Sequence, residues 1–261
     1  MRLPYDEAGE GDAVVLLHAG VGDRRMWQEH LEPLAAAGYR ALAMDLPGFG
    51  DAPPSVGLEM PWADVVETMD AAGVRRASMV GNSFGGAVAL RVAVVAPERV
   101  RALMLISAPD AGVESSPSPE LRAAWDAEEA AIERGDVDAA VEAVISAWTL
   151  PDAPAQLRTR VAAMQRQALV QQLSAAPARE AADPLDEHPE AVGHLDIPTL
   201  VVAGEHDVAD FRDAARRLRG ALPQARHLVL EAAGHLAPLE TPEALRALLL
   251  DFLSAAPGDR P

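Results

Sequence analysis

Short runs of aliphatic and β-branched residues alternate with longer amphipathic segments along most of this chain, and that alternation restricts how it can fold. The runs are Ala13–Leu17, Arg40–Met44, Ala77–Val80, Ala102–Ile106, Thr199–Ala203 and Arg226–Leu230. Most are apolar at successive positions, the pattern of a strand covered on both faces. Between them, Arg25–Ala37, Trp62–Ala72, Ser83–Val95, Phe211–Leu222 and Pro242–Ser254 carry helical patterning. Thr241 is the expected N-cap of the last helix, with Pro242 in its first turn. Strand and helix in strict alternation predict an α/β architecture, a mostly parallel sheet flanked by helices.

The alternation breaks between Asp110 and Asp196, where Ala-rich, charged helical stretches follow one another and no strand pattern appears. The Ser/Pro-rich run Glu114–Pro119 opens this stretch as a linker. The expected organisation is therefore a core made of residues 1–109 and 197–261, with 110–196 inserted as a helical unit over one end of the sheet.

Five turns follow strand candidates at their C-terminal ends, where open α/β sheets build their sites. They read LLHAGVGDRRMW, DLPGFG, GNSFGG, VVAGEHD and AAGHLAPLE. In the third, Gly81-Asn82-Ser83-Phe84-Gly85 has the spacing G-x-S-x-G between a strand and a helix, which lifts a serine hydroxyl onto a tight bend at a helix N-terminus. A packing turn that needs small residues has the same spacing. A serine hydroxyl is a poor nucleophile until a base takes its proton, so the chemical reading requires a histidine and an orienting carboxylate downstream. His235 follows the last strand candidate, and Asp207 ends VVAGEHD. Asp210, in the same loop, and Asp110, after the preceding strand, compete for the acid role. His18 is expected to be structural, whereas His30, His188, His194, His206 and His227 are expected to be solvated or bonded locally.

A formal net charge of −18 removes the basic footprint that gripping phosphate backbones requires, so nucleic acid is not an expected partner. With no cysteine in the chain, disulfides, thiolate catalysis and Cys-ligated zinc are excluded. No apolar stretch approaches the ~18 residues of a membrane span, and no charged segment followed by an apolar one opens the chain. These features lead to the expectation of a soluble, cytoplasmic protein with no membrane partner.

On these residues the chain resembles the α/β-hydrolase fold superfamily, in its serine-nucleophile branch. The order nucleophile, acid, histidine falls on Ser83, Asp207 and His235. HAGVG resembles the family's His-Gly-x-x-Gly oxyanion loop with Ala19 in place of the first glycine, and DLPGFG resembles its Asp-x-x-Gly-x-Gly turn. The resemblance implies a usually eight-stranded sheet and makes the insertion after the sixth strand a cap over the active site. With about a dozen residues before Ala13, the first edge strand is expected to be missing. It also implies an oxyanion hole from the backbone N–H groups of Gly20 and Phe84, and no metal or organic cofactor. Trp148 and Met164 in the cap, with Val208 and Leu236 beside the acid and the histidine, are the expected substrate contacts.

Related enzymes of this fold that cleave carbon–halogen bonds or epoxides use an aspartate where this chain has Ser83. GNSFGG resembles the turn of the meta-cleavage-product carbon–carbon hydrolases, but Leu236 stands where they carry a tryptophan after the histidine. DRRMW is similar to the matching stretch of enol-lactone hydrolases. The expected function is hydrolysis of a small carboxylic ester or lactone through an acyl-enzyme on Ser83. Carbon–carbon bond hydrolysis, cofactor-free perhydrolase, oxygenase or lyase chemistry on the same residues, and a receptor-like binding role remain as alternatives. No feature of the sequence specifies an oligomeric state.

Overall fold

The computed structural model describes residues 1–110 and 116–256. Glu114 and Ser115 of the expected linker lie outside them, as do the final five residues. In chain order the elements are β1 (Tyr5–Ala8), β2 (Asp12–Leu17), α1 (Gln28–Ala36), β3 (Tyr39–Met44), β4 (Leu58–Glu59), α2 (Pro61–Ala71), β5 (Ala77–Asn82), α3 (Phe84–Val95) and β6 (Val100–Ile106). There follow α4 (Pro119–Glu133), α5 (Val137–Trp148), α6 (Ala155–Ser174), β7 (Arg179–Glu180) and α7 (Pro184–Glu187). The chain returns to the sheet with β8 (Thr199–Gly204), α8 (Ala209–Ala221), β9 (Ala225–Leu230), α9 (Ala237–Glu240) and α10 (Pro242–Ala255).

The main sheet has seven strands in the order β1-β3-β2-β5-β6-β8-β9. All its neighbours pair in parallel except β1, which runs antiparallel to β3 with Tyr5 opposite Met44. Strand β1 has no counterpart among the sequence candidates: its central pair Asp6 and Glu7 is exposed, so it shows no apolar face to read. The sheet is thus one strand short of the usual eight, and its antiparallel edge is β1.

Side chains of the inner strands alternate between two cores because successive residues of a strand point to opposite faces. Val14, Leu16, Val80, Met104 and Val202 pack into the layer holding Leu31 and Leu34 of α1 and Leu245 and Leu249 of α10. Val15, Leu17, Met79, Leu103 and Val201 pack into the opposite layer with Val65 and Met69 of α2, Val88 and Val92 of α3, and Leu218 of α8. Full burial of each such side chain contributes roughly 1.5–3 kcal/mol. This double coverage explains the continuous apolar runs. At the far edge β9 is only half covered, with Val229 48% exposed, and departs from that pattern.

Among the described residues the elements between β6 and β8 are helices apart from β7, a two-residue strand absent from the sequence expectation. It pairs in parallel with β4 in the loop after β3. Ser118 caps α4 by accepting from the Leu121 N–H at 3.1 Å, and its own N–H donates to Asp210 Oδ1 at 2.8 Å. Thr241, in contrast, makes no capping bond to α10; its hydroxyl donates to the Ala237 carbonyl because α9 immediately precedes it. Among the described residues no helix is long and apolar enough to cross a membrane.

Candidate active site

Strand β5 ends at Asn82, and the chain reverses into α3 through Ser83, whose φ of 51° and ψ of −114° lie where a side chain is strained. The turn is this sharp because backbone closes on backbone behind it. A Cβ on Gly81 would collide with the Gly85 and Gly86 main chain, and one on Gly85 with the Leu17 and His18 carbonyls. The Gly85 N–H donates to the His18 carbonyl at 3.0 Å, and Ser83 N–H to that of Ile106 at 2.8 Å, fixing the bend to the neighbouring strands.

His235 sits on the loop after β9 with its imidazole buried, and its Nδ1 lies 2.9 Å from Asp207 Oδ1. Nδ1 is therefore the protonated nitrogen, donating to the carboxylate and leaving Nε2 free to accept. Asp207 Oδ1 also accepts the Val208 N–H at 2.8 Å, while Oδ2 is buried without a partner. The other two aspartates are engaged elsewhere. Asp110 pairs with Arg217, and Asp210 receives the Ser118 N–H.

Ser83 and His235 line one cavity of about 350 Å³, together with Ala19, Gly20, Val21, Phe84, Trp125, Glu128, Trp148, Gln165 and Phe211 among others. No hydrogen bond joins the Ser83 hydroxyl to His235 in this structure. Gly20 and Phe84 face each other across the cavity floor, since a Cβ on Gly20 would stand 3.6 Å from Phe84 Cβ. The Phe84 N–H opens α3 and has no acceptor within the helix.

Two buried groups hold this floor in place. Burial pushes the His18 imidazole below its ordinary range, so the ring is neutral. Its Nδ1–H donates to the Ala19 carbonyl at 2.8 Å, and Nε2 accepts the Leu46 N–H at 2.9 Å. Asp45, the aspartate of DLPGFG, is fully buried and accepts the Arg24 and Asp51 N–H groups, both at 2.8 Å. It pairs with the Arg24 guanidinium as well, tying the loop after β2 to the turn after β3. His30 corrects its expectation: it is fully buried, and its Nε2 lies 3.0 Å from the distant Pro238 carbonyl.

The expected substrate contacts divide. Trp148 lines the cavity, its ring 4.5 Å from that of His235. Met164 and Leu236 instead pack in the core, 1% and 0% exposed, and Val208 packs beside Leu121, Val144 and Trp148 without reaching the cavity. Phe211, which the sequence did not single out, lies 4.4 Å from the His235 ring and 5.8 Å from the Trp148 ring, so the three rings form one cluster. An aromatic residue within the first helical turn after Asp207 was the available signal.

Asn82 and Glu240 also escaped the sequence. The Asn82 amide donates to the His235 carbonyl at 3.0 Å and to that of Ile106 at 3.2 Å. Glu240 accepts the Gly234 and Leu236 N–H groups on either side of His235, at 2.8 and 3.1 Å, and the Leu150 N–H just beyond α5 at 3.2 Å. Burial pushes the Glu240 carboxyl up, against these three donors and the neighbouring imidazole.

A parallel sheet with crossover helices and a strained serine turn at its C-terminal edge is the architecture of α/β hydrolases. The chain belongs to the alpha/beta hydrolase family, whose model matches residues 14–248. It is 28% identical over 272 residues to a 2-hydroxy-6-oxononadienedioate/2-hydroxy-6-oxononatrienedioate hydrolase of Cupriavidus pinatubonensis, covering 97% of this chain and 90% of that one. The enol-lactonase of Burkholderia xenovorans superposes with a TM-score of 0.76 at 25% identity, covering 97% and 96% of the two chains. A thermophilic esterase of Thermogutta terrifontis superposes with a TM-score of 0.79 at 23% identity, over 97% and 93%; at that identity the likeness is one of fold.

Proposed function

We propose that this protein is a serine hydrolase that cleaves a small carboxylic ester or lactone through an acyl-enzyme on Ser83. The observation that carries the reading is the 2.9 Å contact between His235 Nδ1 and the buried Asp207, on a ring that shares a cavity with a serine held at positive φ. In this mechanism substrate entry brings the Ser83 hydroxyl onto His235 Nε2, a contact that often closes only in the substrate complex. His235 takes the hydroxyl proton as Oγ attacks the acyl carbon, and Asp207 stabilises the imidazolium. The oxyanion is met by the N–H groups of Phe84 and Gly20, each worth roughly 3 kcal/mol of barrier in comparable sites. The alcohol leaves with the proton from His235. Water, deprotonated by the same ring, then releases the acid and restores Ser83.

The segment 110–196 serves in this reading as a cap. It supplies Trp125, Glu128, Trp148 and Gln165 to the cavity, while the reacting groups come from the loops of the sheet. The described walls carry no arginine or lysine. The dienedioate in the name of the Cupriavidus relative has two carboxylates, and such a substrate would find no cation here. That favours an ester or lactone over a carbon–carbon bond substrate of the dioate type.

A fluorophosphonate probe should label Ser83, located by peptide mass spectrometry, and the protein should turn over a short p-nitrophenyl ester or an enol lactone. Labelling without turnover of any ester or lactone would support a receptor-like role instead.

Cap residues should separate by whether they reach the cavity. Trp148→Ala opens space beside His235 and should raise kcat/KM for long acyl chains relative to short ones on the order of tenfold. Met164→Ala removes a core side chain and should cost roughly 2–5 kcal/mol of stability without moving that ratio. Equal scaling of all substrates by Trp148→Ala would remove it from the specificity surface.

A further inference from the structure

Two polar side chains stand in the otherwise apolar upper wall of the Ser83 cavity. Gln165 of α6 is 4% exposed, and its Oε1 is buried with no hydrogen-bond partner. Its Nε2 lies 3.5 Å from Oε1 of Glu128 on α4, a long contact that leaves the carboxylate with acceptor capacity to spare. Both residues line the cavity with Ser83 and His235. The amide orientation follows from charge, because turning Gln165 would set its oxygen against the Glu128 carboxylate. Trp125, one helical turn before Glu128, and Trp148 complete the wall with aromatic surface.

A buried amide oxygen without a donor costs free energy that is recovered only when a donor arrives. Burial also pushes the Glu128 carboxyl above its ordinary range, the mark of a carboxylate short of solvation. Nothing else described in the cavity wall meets that need: Ala19, Val21, Ala87 and Pro109 offer no side-chain donor, no lysine or arginine is present, and the indole N–H groups of Trp125 and Trp148 make no hydrogen bond to either side chain. The cavity therefore offers unmet acceptors above a nucleophile, on an apolar body.

We propose that Glu128 and Gln165 form a hydrogen-bond-accepting subsite, and that the substrate is an ester or lactone whose apolar body carries an N–H or O–H donor placed to reach it. This rests on the reading of Ser83 as the nucleophile and adds to it the class of substrate. A donor meets unpaired acceptor capacity on Gln165 Oε1 or on Glu128, whereas a second carboxylate on the substrate meets only like charge and a lone acceptor. The chain's net charge of −18 acts in the same direction on anionic substrates approaching it.

The test uses p-nitrophenyl esters whose acyl chains end in an acetamido group, in its N-methyl counterpart lacking the N–H, or in a carboxylate. The unmodified protein should favour the acetamido ester over the N-methyl ester by roughly 10–100-fold in kcat/KM, with the carboxylate ester poorest. In Glu128→Met and in Gln165→Met, both checked for folding by circular dichroism, that ratio should collapse towards one. Equal rates for the acetamido and N-methyl esters, in a protein whose Ser83 takes the phosphonate label, would overturn the subsite and leave the serine hydrolase reading standing. Absence of both labelling and turnover would overturn that reading and the subsite with it. Because the first comparison needs no variant, it decides the matter even where a substitution unfolds the chain.

Discussion

Ser83→Ala is expected to abolish phosphonate labelling and to lower ester turnover by roughly 10⁶-fold, the scale seen when the nucleophile of a triad is removed. The fold should survive. The Ser83 side chain makes no capping bond to α3 and is only half buried, so alanine removes no interaction the turn depends on. What alanine cannot relieve is the backbone: at φ 51° any Cβ is strained, at a cost of order 1–3 kcal/mol. Ser83→Gly should therefore be inactive and yet more stable than the natural protein, by about 1 kcal/mol, read as a rise in Tm. An active site that holds a residue in an unfavourable conformation predicts this opposition of stability and activity. Labelling that persists in Ser83→Ala would return the glycines of the turn to a packing role.

Asp207→Asn should depress turnover on the order of 10⁴-fold, again with the fold intact. The neutral amide has two ways to sit in a fully buried side-chain position. With its oxygen in the place of Oδ1 it still accepts from His235 and Val208, but it buries an NH₂ where Oδ2 already lacks a partner. Turned over, it sets an N–H donor against both the imidazole and the Val208 N–H, and so imposes the wrong tautomer on the ring. In either arrangement the imidazolium formed during catalysis loses its counter-charge. Asp210→Asn and Asp110→Asn should cost far less activity, because one carboxylate serves Ser118 and the other Arg217. A larger loss from Asp110→Asn would move the acid to the loop after β6. Steady-state rates of the three variants on one ester decide between them.

The order of strands and helices was legible because burial on both faces writes itself as an unbroken apolar run, as in Val14–Leu17. Strand β1 escaped for the complementary reason: it is held by main-chain hydrogen bonds to β3, and its exposed Asp6 and Glu7 carry no pattern. The loops bearing Ser83 and Asp207 could be found because each begins where such a run ends, and that of His235 because it follows the short Leu228–Leu230 apolar run of the half-covered β9. Side chains contributed by helices were harder. Glu128 and Gln165 sit on Ala-rich, charged helices where any polar residue defaults to solvent, and only the packing of α4, α5 and α6 turns those two inward. Met164 fails in the opposite sense: an apolar residue on the same helices points as readily into the core as into a cavity, and periodicity cannot distinguish them.

Glu240 has a consequence for how this protein can diverge. Its carboxylate holds the loop on both sides of His235 and, through the Leu150 N–H, the end of α5. The donor supplied from the helical stretch is main chain, so the bond itself requires only that position 150 not be proline, while the Leu150 side chain packs against Gly234. The stretch is thereby docked to the histidine loop by a main-chain donor, beside the packing of Trp148 on His235 and of Leu150 on Gly234. Exchanging the helical stretch between β6 and β8 should therefore keep a free amide at position 150 along with the core side chains Val161 and Met164, and can vary Trp125, Glu128, Trp148 and Gln165 as a set.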